Sequence, residues 1–280
     1  MTSITFLADE TLAPAVDLPA APTVSIGLWR SSVTVAGRTV RQFFRTPQLI
    51  VVGALTSTMF LLIFRYVFGG AIGTGPVSYA DFLIPALAAT AGLFSGGAVG
   101  VATDIEGGLF DRLKSLPIPR SSVLIGRSIA DTGLILWAAF VSVAIGFATG
   151  FRFHGSLGDA VAAIALVALF GFVGSWPMIF IGLAAGNSQA AQGMSFMTFP
   201  FIFVSSTYVP VDSMPGWLQP VAREQPVTSM VGAIRSLAVG SDADAVLGHS
   251  TSWFVVRALL WSVVIVAVFG TLATRKFAKS

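Results

Sequence analysis

AVAAIALVALFGFVGSWPMIFIGLAA, residues Ala160 to Ala185, runs for 26 positions without an Asp, Glu, Lys or Arg. Crossing the hydrocarbon core of a bilayer takes about 20 predominantly apolar residues, so this stretch predicts a transmembrane helix; its Gly and Pro are tolerated in that setting. Similar runs lie on both sides of it, at Gln48 to Phe68, Phe82 to Thr103, Ser122 to Thr149, Gly193 to Val209 and Ser252 to Ala273. The expected fold is therefore all-α, a polytopic membrane protein with six transmembrane helices. The fifth run is short and interrupted by Pro200, yet Phe196 to Val204 is too apolar for an exposed loop. Composition agrees: 55% of the 280 residues are hydrophobic and 10% charged, with a mean hydropathy of +0.84, whereas a soluble chain of this size carries more polar surface. Cysteine is absent, which excludes disulfides, thiolate metal sites and thiol catalysis.

Residues 1–27 hold Asp9, Glu10 and Asp17, no Lys or Arg, and no continuous apolar core; a flexible tail is expected, not a cleaved signal peptide. A transmembrane domain would then occupy 28–280. From Trp29 to Phe44, Trp29, Val33, Ala36, Val40 and Phe43 recur at alternating steps of four and three, with Arg38, Arg41 and Arg45 on another face. That pattern predicts an amphipathic helix on an anionic leaflet, the alternative being a solvated basic helix. Ten basic residues (Arg30, Arg38, Arg41, Arg45, Arg112, Lys114, Arg120, Arg275, Lys276 and Lys279) fall on one side of the six spans. The other side has Arg152, Arg223 and Arg235 in its loops, with Arg65 and Arg257 near span ends. The positive-inside rule then puts both termini in the cytoplasm.

Sites for chemistry are sparse. The Gly-rich run from Gly69 to Gly75 has no following Lys, and G-x-x-x-x-G-K-[ST] occurs nowhere, so ATP is not bound by a Walker loop. His154 and His249 are isolated, without metal-ligand spacing; both read as loop histidines. Asp131 follows Arg127 by four residues in the third span, which suits a local ion pair, with a proton relay as the alternative. Gly92, Gly96 and Gly100 repeat every fourth position, as do Gly182 and Gly186; such ridges let helix backbones approach.

The connecting segments say more. In Asp104 to Arg120, Leu109, Phe110, Leu113 and Leu116 share a helical face, charges occupy the other, and Pro117 and Pro119 stop the helix. A short helix of this kind suits docking into a partner's groove and suits equally a loop helix resting on the membrane. Between the fifth and sixth spans, Pro210 to Thr251 is too long for a plain connector. Trp217 suits a headgroup layer, and Val227, Met230, Val231, Ile234 and Leu237 form an apolar face between Pro226 and a helix-ending Gly240. One or two short helices folded against the outer side of the bundle are expected.

Taken together, the chain from about Leu28 to Lys276 resembles the permease subunits of type-2 ATP-binding-cassette (ABC) exporters, in particular the bacterial branch associated with daunorubicin and other drug resistance and with lipid export. The resemblance rests on Glu106 with Arg112-Leu113-Lys114-Ser-Leu116-Pro117-Ile-Pro119-Arg120, and on Pro210, Met214-Pro215-Gly216-Trp217-Leu218, Gln225-Pro226-Val227-Thr228 and Ala233-Ile-Arg235-Ser-Leu237. It implies that Trp29 to Arg45 is a connecting helix at the inner membrane surface. It makes Glu106, Leu109, Phe110, Arg112, Leu113 and Leu116 a cytoplasmic coupling helix that docks on an ATPase, and Met214 to Leu237 short outer re-entrant helices.

On this reading the chain binds no cofactor itself; ATP and Mg are bound by the partner ATPase subunits. Two permeases pair, either copies or homologues, in the bacterial cytoplasmic membrane, among membrane lipids and without nucleic acid. Hydrophobic or amphipathic substrates (drug, antibiotic or lipid) suit spans rich in Phe, Met, Leu and Val. Thr56, Ser57 and Thr58, and Ser205, Ser206, Thr207 and Tyr208, are the hydrogen-bonding groups expected along the path, unless they serve neighbouring backbone. Three other readings compete. A proton-coupled secondary transporter needs acidic groups deep in the spans, and a membrane enzyme needs a polar cluster at one face; neither is evident. A non-transporting scaffold needs only spans and packing ridges.

Overall fold

The computed structural model describes residues 27–45, 47–91, 96–114, 119–240 and 247–279. Most of the predicted tail, residues 1–26, lies outside them, as do Gly92 and Leu116. In chain order the helices are α1 (Leu28–Arg45), α2 (Pro47–Leu62), α3 (Tyr79–Thr90), α4 (Gly97–Glu106), α5 (Leu109–Lys114) and α6 (Arg120–Ala148). There follow α7 (Leu157–Ala185), α8 (Ser188–Ser195), α9 (Phe199–Phe203), α10 (Gln219–Glu224), α11 (Pro226–Val239) and α12 (Thr251–Lys279). No strand occurs among the described residues.

The helices α6, α7 and α12 have 29 residues each, about 43 Å at 1.5 Å per residue, and among the described residues they are the three long and apolar enough to cross a membrane. Their chemistry matches that role. On α12, Val256, Leu260, Val263 and Val264 point outward, a face that water would penalise and lipid would not.

The other expected spans are assembled from shorter pieces. α2 passes into a π-helical turn, Ile63–Phe68, without a break in the right-handed backbone. The second expected span, Phe82 to Thr103, is not one helix. α3 ends at Thr90, and α4 starts after Gly96, whose φ of 68° is the left-handed region that only glycine enters cheaply. The fifth, Gly193 to Val209, is shifted: the Asn187 side chain caps α8 through the Ala190 N–H at 2.7 Å, a 3-10 turn Phe196–Thr198 joins α8 to α9, and the chain turns after Phe203.

Two close helix contacts are set by glycine. A Cβ on Gly126 would lie 2.6 Å from the Ser32 carbonyl oxygen, so α1 lies directly on the start of α6. The buried stripe of α1 is Ser31, Ser32, Ala36 and Thr39, and the Ser32 and Thr39 hydroxyls donate to carbonyls one turn back, which lets a polar stripe pack without orphaned donors. Of the expected apolar face, Trp29 and Val33 point outward at 69% and 47% exposure, as a face meant for lipid would, while Ala36 is buried against α6. At Gly182 a Cβ would lie 2.5 Å from the Ala98 carbonyl oxygen, joining α7 to α4. Gly182→Ala is expected to destabilise the bundle by about 1–3 kcal/mol through overpacking, read as a lowered thermal midpoint in detergent. Its sequence partner Gly186 does something else: with φ 74° it ends α7.

Candidate functional site: an apolar cavity between two arginine networks

Where α3 stops and α11 begins, the bundle forms a cavity of about 370 Å³ that opens outward past Met197 and Phe201. α7 supplies Phe170, Met178 and Phe180; the α8 to α9 segment supplies Met194, Met197 and Phe201; Met230 of α11 and Phe269 of α12 complete the aromatic and thioether wall. Thr90 and Thr198 are its hydroxyls. Methionine packs adaptably and aromatic rings offer large flat contacts, so this lining fits bulky apolar molecules of varied outline. The interruption of the second span helps to form it, because Ala89 and Thr90 close α3 at the cavity rather than passing it. Among the described side chains, none of the hydroxyl residues expected along a path lines this cavity.

Towards the end of the bundle that carries α5, Arg127 is buried between two carboxylates. Its Nη1 donates to Asp104 at 2.5 Å and its Nε to both oxygens of Asp131, at 3.0 and 3.2 Å. The expected local ion pair with Asp131 is present, and Asp104 of α4 is a second acceptor that spacing did not reveal, being 23 residues away. Gly100, expected to bring helices together, instead makes room for this group: a Cβ there would lie 2.2 Å from Arg127 Nη2. A Cβ on Gly96 would meet no described atom, so Gly96 serves the helix break.

α5 follows α4 directly. Phe110 is buried and meets Phe277 of α12 edge to face, ring centroids 5.2 Å apart. Leu109 and Leu113 pack half-buried on the same cluster, which contains Trp176, Ile179 and Leu183. The apolar ridge of the expected docking helix thus faces the chain's own bundle, while Arg112 is exposed. Glu106 accepts from the backbone N–H of Ser188 at 2.9 Å and from its hydroxyl at 3.3 Å, a carboxylate placed at the start of α8.

At the opposite end Ser205, Ser206 and Thr207 form a buried turn satisfied within the chain. Ser205 Oγ donates to the Ile202 carbonyl at 2.5 Å and lies 2.6 Å from Thr207 Oγ1, and the Ser206 N–H donates to Thr228 Oγ1 at 3.2 Å. Tyr208 is buried among Phe60, Phe64 and Phe203. Thr56 and Thr58 are half-buried on α2, and the side chain of Ser57 lies outside the described ones. The turn is grasped by Arg235, which lies on the helix expected between Pro226 and Gly240 and which the fold buries. Its burial was hidden because a single Arg after an apolar face reads as a surface residue. Neither histidine belongs to a metal cluster among the described residues; His249 stacks on Trp253 at 4.0 Å.

The described residues form a helical bundle around an apolar cavity, with a buried arginine held at each end. The chain belongs to the ABC-2 type transporter family, whose sequence profile matches residues 31–239. It is a permease subunit, and such subunits do not themselves hydrolyse ATP. Among its relatives, the daunorubicin resistance ABC transporter permease protein DrrB1 of Streptomyces coeruleorubidus is 29% identical over 250 residues, covering 88% of this chain and 86% of its own. The probable doxorubicin resistance ABC transporter permease protein DrrC of Mycobacterium tuberculosis is 30% identical over 143 residues, 51% of this chain and 52% of its own. The probable multidrug ABC transporter permease YbhR of Escherichia coli is 27% identical over 157 residues, 54% and 42% of the two chains.

Proposed function

We propose that this chain is the membrane-spanning subunit of an ATP-driven exporter of hydrophobic or amphipathic compounds, drugs and lipids among them, and that it pairs with a second permease and with separate ATPase subunits that bind ATP and Mg. The observation that carries the substrate class is the cavity itself, walled mainly by phenylalanine and methionine with two threonine hydroxyls among the described residues; a charged or sugar-like ligand would leave its polar groups unpaired there. The names of its relatives, which speak of daunorubicin and doxorubicin resistance, support the same class. Six spans follow if α2 with its π turn, α3 with α4, and α8 with α9 each cross the bilayer beside the three long helices. α10 and α11 are then outer re-entrant helices, since Met230 near the start of α11 shares the cavity with Ile265, deep in α12. The basic residues around α1, α5 and the end of α12 support a reading with both termini in the cytoplasm of a bacterial cell.

On this reading the coupling helix has two sides with different duties. Leu109, Phe110 and Leu113 fasten α5 to α7 and α12, and Arg112 with the polar edge around Glu106 meets the ATPase. Closure of the ATPases pushes α5, and α4 carries the displacement to the Arg127 network and the cavity. Arg112→Glu is expected to reduce co-purification with the ATPase and ATP-dependent transport by about tenfold, with the thermal midpoint kept. Phe110→Asp should lower that midpoint, since it buries an unpaired charge. Undiminished association and transport in Arg112→Glu would overturn the docking assignment. Transport that survives ATP depletion but collapses with the proton gradient would overturn the ATP-driven reading.

A further inference from the structure

Arg235 has 1% of its surface exposed, and no carboxylate is among its described partners. Nε donates to the Phe82 carbonyl at 2.8 Å, Nη2 to the carbonyls of Ser206 at 2.8 Å and Thr207 at 3.4 Å, and Nη1 reaches Ser206 Oγ at 3.5 Å. The guanidinium carbon lies 3.5 Å from the centroid of the Phe82 ring. One side chain thereby ties three elements together: α11, the fourth residue of α3, and the turn after α9. Two of these elements also wall the cavity, α11 through Met230 and α3 through Thr90, and Phe201 of α9 joins them just before the turn.

The two buried arginines are held in contrasting ways. Moving Arg127 would strand two buried carboxylates, whereas moving Arg235 leaves only neutral carbonyls, which lose far less when a donor departs. An ionisable group buried in a membrane bundle without a counter-charge marks function more often than packing. Tyr208 Oη, in the residue after the turn, and Ser229 Oγ, on α11, are buried with no hydrogen-bond partner among the described residues.

Building on the permease reading, we infer that Arg235 is the latch of this end of the bundle. It is a positioning residue that holds α11 against α3 and the 205–207 turn while the cavity is closed on that side, and it lets go when α11 swings to open the exit. The contrast with Arg127 assigns the permanent joint to one end and the releasable joint to the other.

The chain has no cysteine, so a single introduced thiol reports directly. Val231 is fully buried beside Ala86, on the seam between α11 and α3. In the transporter assembled with its ATPase, Val231→Cys should be shielded from a membrane-impermeant maleimide without nucleotide. It should react about tenfold faster after trapping with ATP and vanadate. Adding Arg235→Lys or Arg235→Gln should bring the fast rate to the nucleotide-free state. A folded Arg235→Gln protein with unchanged labelling in both states overturns the latch. If neither variant folds, the native arginine is kept and Ala86→Cys is joined to Val231→Cys by a reducible cross-linker: transport should stop and return on reduction, and transport that continues while cross-linked overturns the latch. The nucleotide-free labelling comparison needs no substrate, so absence of transport by the native chain would strike the permease reading alone.

Discussion

Arg127→Met is expected to lower the unfolding free energy by about 3–5 kcal/mol, because Asp104 and Asp131 would be left facing each other in the bundle without their cation. Equilibrium unfolding in mixed micelles measures this. The revealing comparison is the triple variant Arg127→Met with Asp104→Asn and Asp131→Asn, which removes the network instead of breaking it and should recover most of the loss. Equal destabilisation of the single and triple variants would mean that the guanidinium acts through shape, as a plug over Gly100, and not through charge. Loss of coupling between ATP hydrolysis and transport in the stable triple variant would identify the network as the link between α4 and α6.

Thr198→Trp is expected to weaken binding of a hydrophobic dye by at least about tenfold, equivalent to about 1.4 kcal/mol. The indole would enter a cavity of about 370 Å³ from a half-buried position on the α8 to α9 segment, where the backbone can carry a large side chain without overpacking the core. Dye binding and vesicle transport should fall together, with the thermal midpoint unchanged. Full transport by this variant would place the substrate route elsewhere, along the surface between paired permeases.

The long spans were legible because a run such as Ala160 to Ala185 has one stable answer in a bilayer: every backbone group must be satisfied within the helix. The break in the second span was not legible. Gly92, Gly96 and Gly100 share one spacing, but that spacing does not say which glycine takes a positive φ and which makes room for a guanidinium. Those choices depend on what stands opposite, and Arg127 stands opposite Gly100. The hydroxyls were likewise readable as polar points in apolar surroundings; only the fold shows that Ser205, Ser206 and Thr207 are spent on their own turn and on Thr228 and Arg235, while Thr90 and Thr198 reach the cavity.

The sequence by itself determined that the chain is helical and apolar, that a short amphipathic helix interrupts it at Leu109, and that its motifs belong with permeases, since hydropathy and periodicity are local properties. Which way that short helix faces, which carboxylates hold Arg127, and that Arg235 lies buried against carbonyls were decided only by tertiary structure. A periodic pattern defines a face but not its neighbour, and in a bilayer, where lipid accepts apolar side chains as readily as protein does, burial is set by which helices pack together.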